Sequence, residues 1–111
     1  IIGVSSDKQF GPCVLVGMGG VFVEVFGDVA LCPAPVSKKE ALSMIGTLKS
    51  VKLLSGYRGN APLDIDALAE AIVSVSKFAV AHKESLAELD INPVFLYEKG
   101  LTPADALIIM R

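Results

Sequence analysis

The chain has 111 residues, 52% of them hydrophobic and 20% charged, with a formal net charge of −2. That suffices for one apolar core and excludes both a disordered segment and a basic surface that binds nucleic acid through its phosphates. No apolar run reaches the roughly 18 residues of a membrane span, and the N-terminus lacks a signal-peptide layout, so a cytoplasmic protein with no membrane partner is expected.

Ile1 to Val4 reads as the end of a strand, and Ser5 to Gln9 as a polar turn. Cys13 to Gly17 is a continuous apolar run, the pattern of a strand buried on both faces. Gly17, Gly19 and Gly20 predict a tight connection into a strand over Val21–Phe26, and Gly27-Asp28 a turn into Val29–Cys32, giving a three-stranded meander. Cys13 and Cys32 fall on separate strands without metal-ligand spacing and read as small buried hydrophobes with reduced thiols.

Ser37-Lys38-Lys39-Glu40 is a capping box, and the helix it opens is expected to bury Ala41, Leu42, Ile45 and Leu48. Val51 to Ser55 fits a short helix or a strand equally. After a loop at Asn60-Ala61-Pro62, Asp64 caps a long helix with the apolar stripe Ile65, Leu68, Ile72, Val75 and Ala79. His82, the only histidine, falls near the end of that helix, where the dipole favours it. Leu86 to Leu96 predicts a strand, Tyr97 to Gly100 a turn, and Ala104 to Met110 the returning strand. The predicted class is α+β, one domain over residues 1–111, with a largely antiparallel sheet and helices packed on one face.

The last hairpin carries the candidate chemistry. A reversal centred between Glu98 and Lys99 places Asn92 opposite Asp105 and Asp90 opposite Leu107, and the period of two puts Asp90, Asn92 and Asp105 on one face. Three oxygen-bearing side chains on an otherwise apolar hairpin suit a hard cation such as Mg²⁺ between nucleotide phosphates. A turn-forming Asn-Pro beside solvated carboxylates is the plainer alternative. Gly17-Met18-Gly19-Gly20 could bring backbone amides to a phosphate, but it lacks the Lys-Ser or Lys-Thr of a P-loop, and a glycine-rich hairpin turn is the simpler reading. Glu24 is either an exposed strand glutamate, sharing a face with Phe22 and Phe26, or an active-site carboxylate. Arg58, between Gly56 and Gly59, is either a phosphate clamp or a loop cation.

Three groups of residues in this order, Phe10-Gly11-Pro12 with Gly17 to Val25, Leu53 to Gly59, and Glu88-Leu89-Asp90-Ile91-Asn92-Pro93-Val94, resemble the ATP-grasp domain of ADP-forming acyl-CoA synthetases. That family is related to the β subunit of succinyl-CoA synthetase. The resemblance implies the C-terminal lobe of an ATP-grasp domain, a piece of a longer protein, with Mg²⁺ and ATP or ADP as cofactors. It implies catalytic roles for Glu24, Arg58 and Asp90, nucleotide contact at Gly19 and Gly20, and Mg²⁺ ligation by Asn92 and Asp105. Asp90 stands where the related synthetases have Glu in Glu-x-Asn-Pro. The implied partner is a CoA-ligase domain or subunit whose histidine carries the phosphoryl group; nothing around His82 matches that motif. Oligomerisation and an isolated lobe without turnover are also expected. Similar domains are fused to protein acetyltransferases, so a regulatory module is the alternative reading.

Overall fold

The computed structural model describes residues 1–19, 21–56 and 59–111, with the side chains of Val21 and Phe22 left aside. Three strands come early, β1 (Ile2–Asp7), β2 (Gly11–Gly17) and β3 (Val29–Pro33), with a single helical turn α1 (Val21–Glu24) between β2 and β3. Helices α2 (Lys38–Thr47), α3 (Val51–Leu54) and α4 (Ile65–Ala81) follow, then β4 (Leu86–Ile91), β5 (Val94–Leu96), β6 (Leu101–Pro103) and β7 (Ala106–Met110). The main sheet is antiparallel throughout, in the order β3-β2-β1-β4-β7, and β5 and β6 form a separate ribbon. This is the predicted α+β architecture.

The two longest helices lie on one face. α4 packs on β1 and β2, and α2 on α4, β2 and β3. The strand alternation answers this arrangement: Ile2, Val4, Val14 and Val16 point into the helix layer and are buried, and Ala41, Ile45, Ile72 and Ala79 meet them. The Ser37 capping box is formed in both directions, through the Glu40 amide to Ser37 Oγ at 3.1 Å and the Ser37 amide to Glu40 Oε1 at 3.0 Å. The buried stripe of α2 is Ala41, Met44, Ile45 and Leu48. Leu42, expected inside, is 40% exposed because the i, i+3, i+4, i+7 series that begins at Ala41 passes through Met44 instead. Residues 51–54, left open between helix and strand, are helical.

Two predicted strands are corrected. Val21–Phe26 is not a strand, since its first residues form α1 and the Gly27 amide donates to the Val23 carbonyl. The ladder leaves β2 at Gly17 and resumes there on β3, with Val29 opposite Gly17, so residues 18–28 only connect the two. β-Branched composition yields here to that closure. The meander exists, but its strands are β1, β2 and β3. Leu86–Leu96 is likewise two strands, because Pro93 has no N–H for the ladder and the chain passes from the main sheet to the ribbon at Asn92-Pro93. The cysteines are half-buried rather than buried, and they lie on opposite faces, Cys13 across from Pro33 and Cys32 across from Val14.

Two carboxylates fasten the connections. Asp28, 2% exposed, accepts from the amides of Lys49 (2.6 Å) and Ser50 (2.9 Å), tying the start of β3 to the segment between α2 and α3. Asp64 caps α4 through the Ala67 amide (2.9 Å) and accepts from the Gly100 amide (2.7 Å), while its own N–H donates to the Tyr97 carbonyl (2.7 Å). One residue thereby holds the β5–β6 turn against the helix N-terminus.

Burial pushes the Asp28 carboxyl up, but hydrogen bonds from Ser50 and Lys49 outweigh it and leave the group below its ordinary range. The Gly100 and Ala67 amides do the same for Asp64. The folded state therefore binds fewer protons at these sites than the unfolded chain. Their contribution should be complete above about pH 5 and lost as pH falls through the lowered folded values, below about pH 4. Asp28→Ala, which strands a buried amide at Ser50 and a partly buried one at Lys49, should cost about 2 kcal/mol at pH 7 in urea unfolding and should flatten the acid limb of the stability profile.

Candidate functional site

The open face of the sheet, opposite the helices, carries the candidate residues. On β4 the outward positions are Glu88 and Asp90, since Leu89 turns into the core and a bulge between Leu86 and Glu88 resets the alternation so that Leu86 is also buried. The paired residues are Glu88 with Ile109, Leu89 with Ile108, Asp90 with Leu107 and Ile91 with Ala106. Beyond the break, Val94 pairs with Pro103, Phe95 with Thr102 and Leu96 with Leu101, so one register runs through both sheets and centres between Glu98 and Lys99. The two residues between these ladders keep it, with the Asn92 amide donating to the Asp105 carbonyl at 3.2 Å and the Ala104 amide to the Pro93 carbonyl at 2.9 Å.

Asn92 and Asp105 are thus opposite neighbours at the end of the main sheet, as predicted, and Asp90 is one outward step away on β4. All three are exposed. Asp105 Oδ1 accepts from the Ala106 amide at 2.9 Å, which orients the carboxylate on its own strand. Across from Asp90 on β1 is Gly3, whose lack of a side chain leaves that carboxylate clear on one flank.

The glycine connection reaches the same corner. Gly19 has φ +84°, and a Cβ built on it would stand 4.0 Å from Asn92 Oδ1 and 3.3 Å from Ile1 Cγ2. A side chain there would be strained, would press on Ile1 and would come into van der Waals contact with Asn92. Gly17 exchanges backbone hydrogen bonds with Ile1, and one further step of the β1–β4 register sets Ile1 beside Asn92. A Gly17 Cβ would meet Val23 Cγ2 at 3.0 Å, so α1 rests on this end of β2. Glu24, exposed on α1, therefore comes from the element next to the corner, but among the described residues no hydrogen bond or ion pair joins it to Asp90, Asn92 or Asp105. Because α1 is a helical turn, the facing of Glu24 expected from strand alternation with Phe26 does not apply.

Gly20 and Arg58 lie outside the described residues. The Arg58 loop is closed at its base by the Leu63 amide on the Leu54 carbonyl at 2.8 Å. Leu54 and Leu63 line, with Gly17, Met18 and Val94, an apolar cavity of about 190 Å³ between the sheet end, α3 and the ribbon. The loop is therefore rooted beside the glycine connection. Asp64 is more than the helix cap that the sequence shows; its second role depends on Gly100, 36 residues away, which no local pattern signals. His82 caps α4 through its backbone and stacks its ring near Phe78, with centroids 4.5 Å apart, away from the hairpin's open face.

The donor set fits a hard cation. Asn92 Oδ1 and the Asp105 carboxylate are oxygens on opposite neighbours of one sheet face, and Mg²⁺ takes only one or two protein carboxylates, keeping water or phosphate for the rest of its shell. Among the described residues no three His, Cys, Asp or Glu side chains gather as a closed metal cage.

A family model for the ATP-grasp domain matches residues 1–110. The β subunit of acetate–CoA ligase (ADP-forming) I from Pyrococcus furiosus is 44% identical over 110 residues, covering 99% of this chain and 47% of that subunit. The 4-hydroxybutyrate–CoA ligase (ADP-forming) of Nitrosopumilus maritimus is 48% identical over 100 residues, covering 90% of this chain and 14% of that protein. Dinucleotide-forming acetyl-coenzyme A synthetase 1 of Candidatus Korarchaeum cryptofilum, solved with coenzyme A and Mg-AMPPCP and with its phosphohistidine segment pointing towards the nucleotide-binding site, superposes with a TM-score of 0.94 at 48% identity. That match covers 99% of this chain and 51% of the solved one. The chain thus spans about half or less of the length of these relatives.

Gly19→Ala should shift the side-chain amide resonances of Asn92 in a ¹⁵N spectrum and lower stability by roughly 1 kcal/mol. Gly27→Ala, strained by a φ of +59° but with nothing within 4 Å of the new Cβ, should leave the Asn92 signals in place. Equal responses from both variants would separate Gly19 from the site.

Proposed function

Since the chain belongs to the ATP-grasp domain family, we propose that it is the C-terminal lobe of the ATP-grasp domain of an ADP-forming acyl-CoA synthetase. In this reading it helps present a Mg-nucleotide that exchanges a phosphoryl group with a histidine of another domain or subunit. The observation that carries the proposal is the unbroken hairpin register that brings Asn92 and Asp105 together beside Gly19. The relatives are CoA ligases, and the related synthetase was solved with Mg-AMPPCP. The acetyltransferase-linked regulatory module finds no support among them.

In-line phosphoryl transfer between anions depends on positioning and charge neutralisation more than on covalent chemistry by the protein. Asn92 and Asp105 would hold Mg²⁺, which when bound neutralises phosphate oxygens. Asp90, one outward step from Asn92, would accept hydrogen bonds from water around that ion; as an Asp where the related synthetases have Glu, it reaches less far and would act through water. Gly19 and Gly20 let the backbone approach the nucleotide, and at Gly19 a side chain would be strained by a φ of +84°. Arg58 clamps a phosphate from its glycine-flanked loop, and Glu24 approaches from α1. The other ATP-grasp lobe and the CoA-ligase domain supply the rest, so this lobe alone folds without turning over acyl-CoA.

Asp105→Ala in the intact protein should reduce ATP formation from acetyl-CoA, ADP and phosphate by at least 100-fold while the thermal midpoint stays within about 2 °C, because the residue is exposed at the end of the sheet. Asn92→Ala should raise the Mg²⁺ requirement without abolishing the reaction. An Asp105→Ala enzyme with unchanged Mg²⁺ dependence would refute the assignment.

A further inference from the structure

The connection from β2 to β3 carries Gly19 and Glu24, and burial does little to hold its second half. Glu24 is exposed, and Val25 and Phe26 after it are 68% and 57% exposed. α1 is a single turn, too short to keep its own shape in water, and the Gly27 amide closes it on the Val23 carbonyl at 3.1 Å. The placement of Glu24 therefore depends on what anchors residues 26–28.

That anchor is a clasp on the junction between α2 and α3. Both oxygens of the Asp28 carboxylate are used, Oδ1 by the Lys49 amide at 2.6 Å and Oδ2 by the Ser50 amide at 2.9 Å, and Lys49 Nζ donates back to the Phe26 carbonyl at 3.2 Å. Among the described residues, these are the hydrogen bonds that join residues 18–28 to the helix layer. The junction is itself firm, because Leu48, Ser50 and Leu54 are buried. Burying a carboxylate opposes its charge, yet an Asn in its place would set its own NH₂ against one of the two adjacent amides.

We propose that Asp28 is a positioning residue for phosphoryl transfer: buried away from nucleotide and metal, it sets Glu24 and its connection against the Asn92–Asp105 corner. The step from clasp to corner is short. A Cβ at Gly17 would stand 3.0 Å from the Asp28 carbonyl oxygen, and Gly17 exchanges backbone hydrogen bonds with Ile1, which the register sets beside Asn92. This inference rests on the nucleotide reading of the corner and on the role given there to Glu24.

A double-mutant cycle on ATP formation by the intact protein tests the proposal. Asp28→Asn keeps the side chain's size and opens one arm of the clasp, so kcat should fall roughly ten-fold with KM for ADP nearly unchanged. Glu24→Gln should also lower kcat, and in that background Asp28→Asn should have little further effect, because it acts through Glu24. Ser37→Ala is the stability control: it removes the α2 cap beyond the Pro33 end of β3, opposite the end that adjoins the corner, and should lower the thermal midpoint but not kcat. Lys49→Met answers the same question whatever Asp28→Asn does to folding, since Lys49 is exposed. Loss of its hydrogen bond to Phe26 should lower kcat about three-fold, and should not do so once Glu24 is Gln. Losses that persist in full in the Glu24→Gln background, or an unchanged kcat in Lys49→Met, would overturn the positioning role and leave the nucleotide reading standing. A Glu24→Gln protein with unchanged kcat would overturn the role of Glu24 and the proposal with it.

Discussion

The candidate site depends on one constraint, the antiparallel register of the last hairpin. A period of two makes register unforgiving: a one-residue slip between β4 and β7 would turn Asp105 to the helix side while Asn92 stayed on the open face. Leu86 and Leu89, buried in the core, fix which face of β4 looks inward, and Asp64 holds the far turn of the hairpin through Gly100 and Tyr97. The register is therefore pinned at both ends, by apolar burial at one and by a carboxylate at the other. Asn92 and Asp105 lie between these anchors.

The break at Asn92-Pro93 follows from the same arrangement. Pro93 cannot donate to the ladder, so the hairpin divides there into a strand pair within the main sheet and a separate ribbon without losing its register. The side chains next to the break stand exposed at the end of the sheet, clear of the helix layer. With α2 and α4 on one face, the other carries Asp90, Asn92, Asp105 and the Gly19 connection.

The parts governed by local chemistry were legible in the sequence. The Ser37 capping box, the Asp64 cap and the hairpin reversal are each set by residues a few positions apart, and the structure has them as read. Val21–Phe26 was misread because its β-branched pattern says nothing of where β3 must rejoin β2. Leu42 and Met44 are both apolar, and the spacing from Ala41 and Ile45 selects Met44 as the inward one. Asp28 and the second role of Asp64 were out of reach, since their partners lie 21 or more residues away in segments without a pattern of their own. At the site, the pairing of Asn92 with Asp105 could be read from the turn, whereas the approach of Gly19 to Asn92 crosses from one end of the chain to the other.

The most direct measurement is anomalous diffraction from crystals of the intact protein grown with Mn²⁺ in place of Mg²⁺ and a non-hydrolysable ATP analogue. The account predicts an anomalous peak about 2.1 Å from both Asn92 Oδ1 and an Asp105 carboxylate oxygen, with phosphate oxygens completing the shell. A metal held with the nucleotide by other residues, with Asn92 and Asp105 facing bulk solvent, would contradict it.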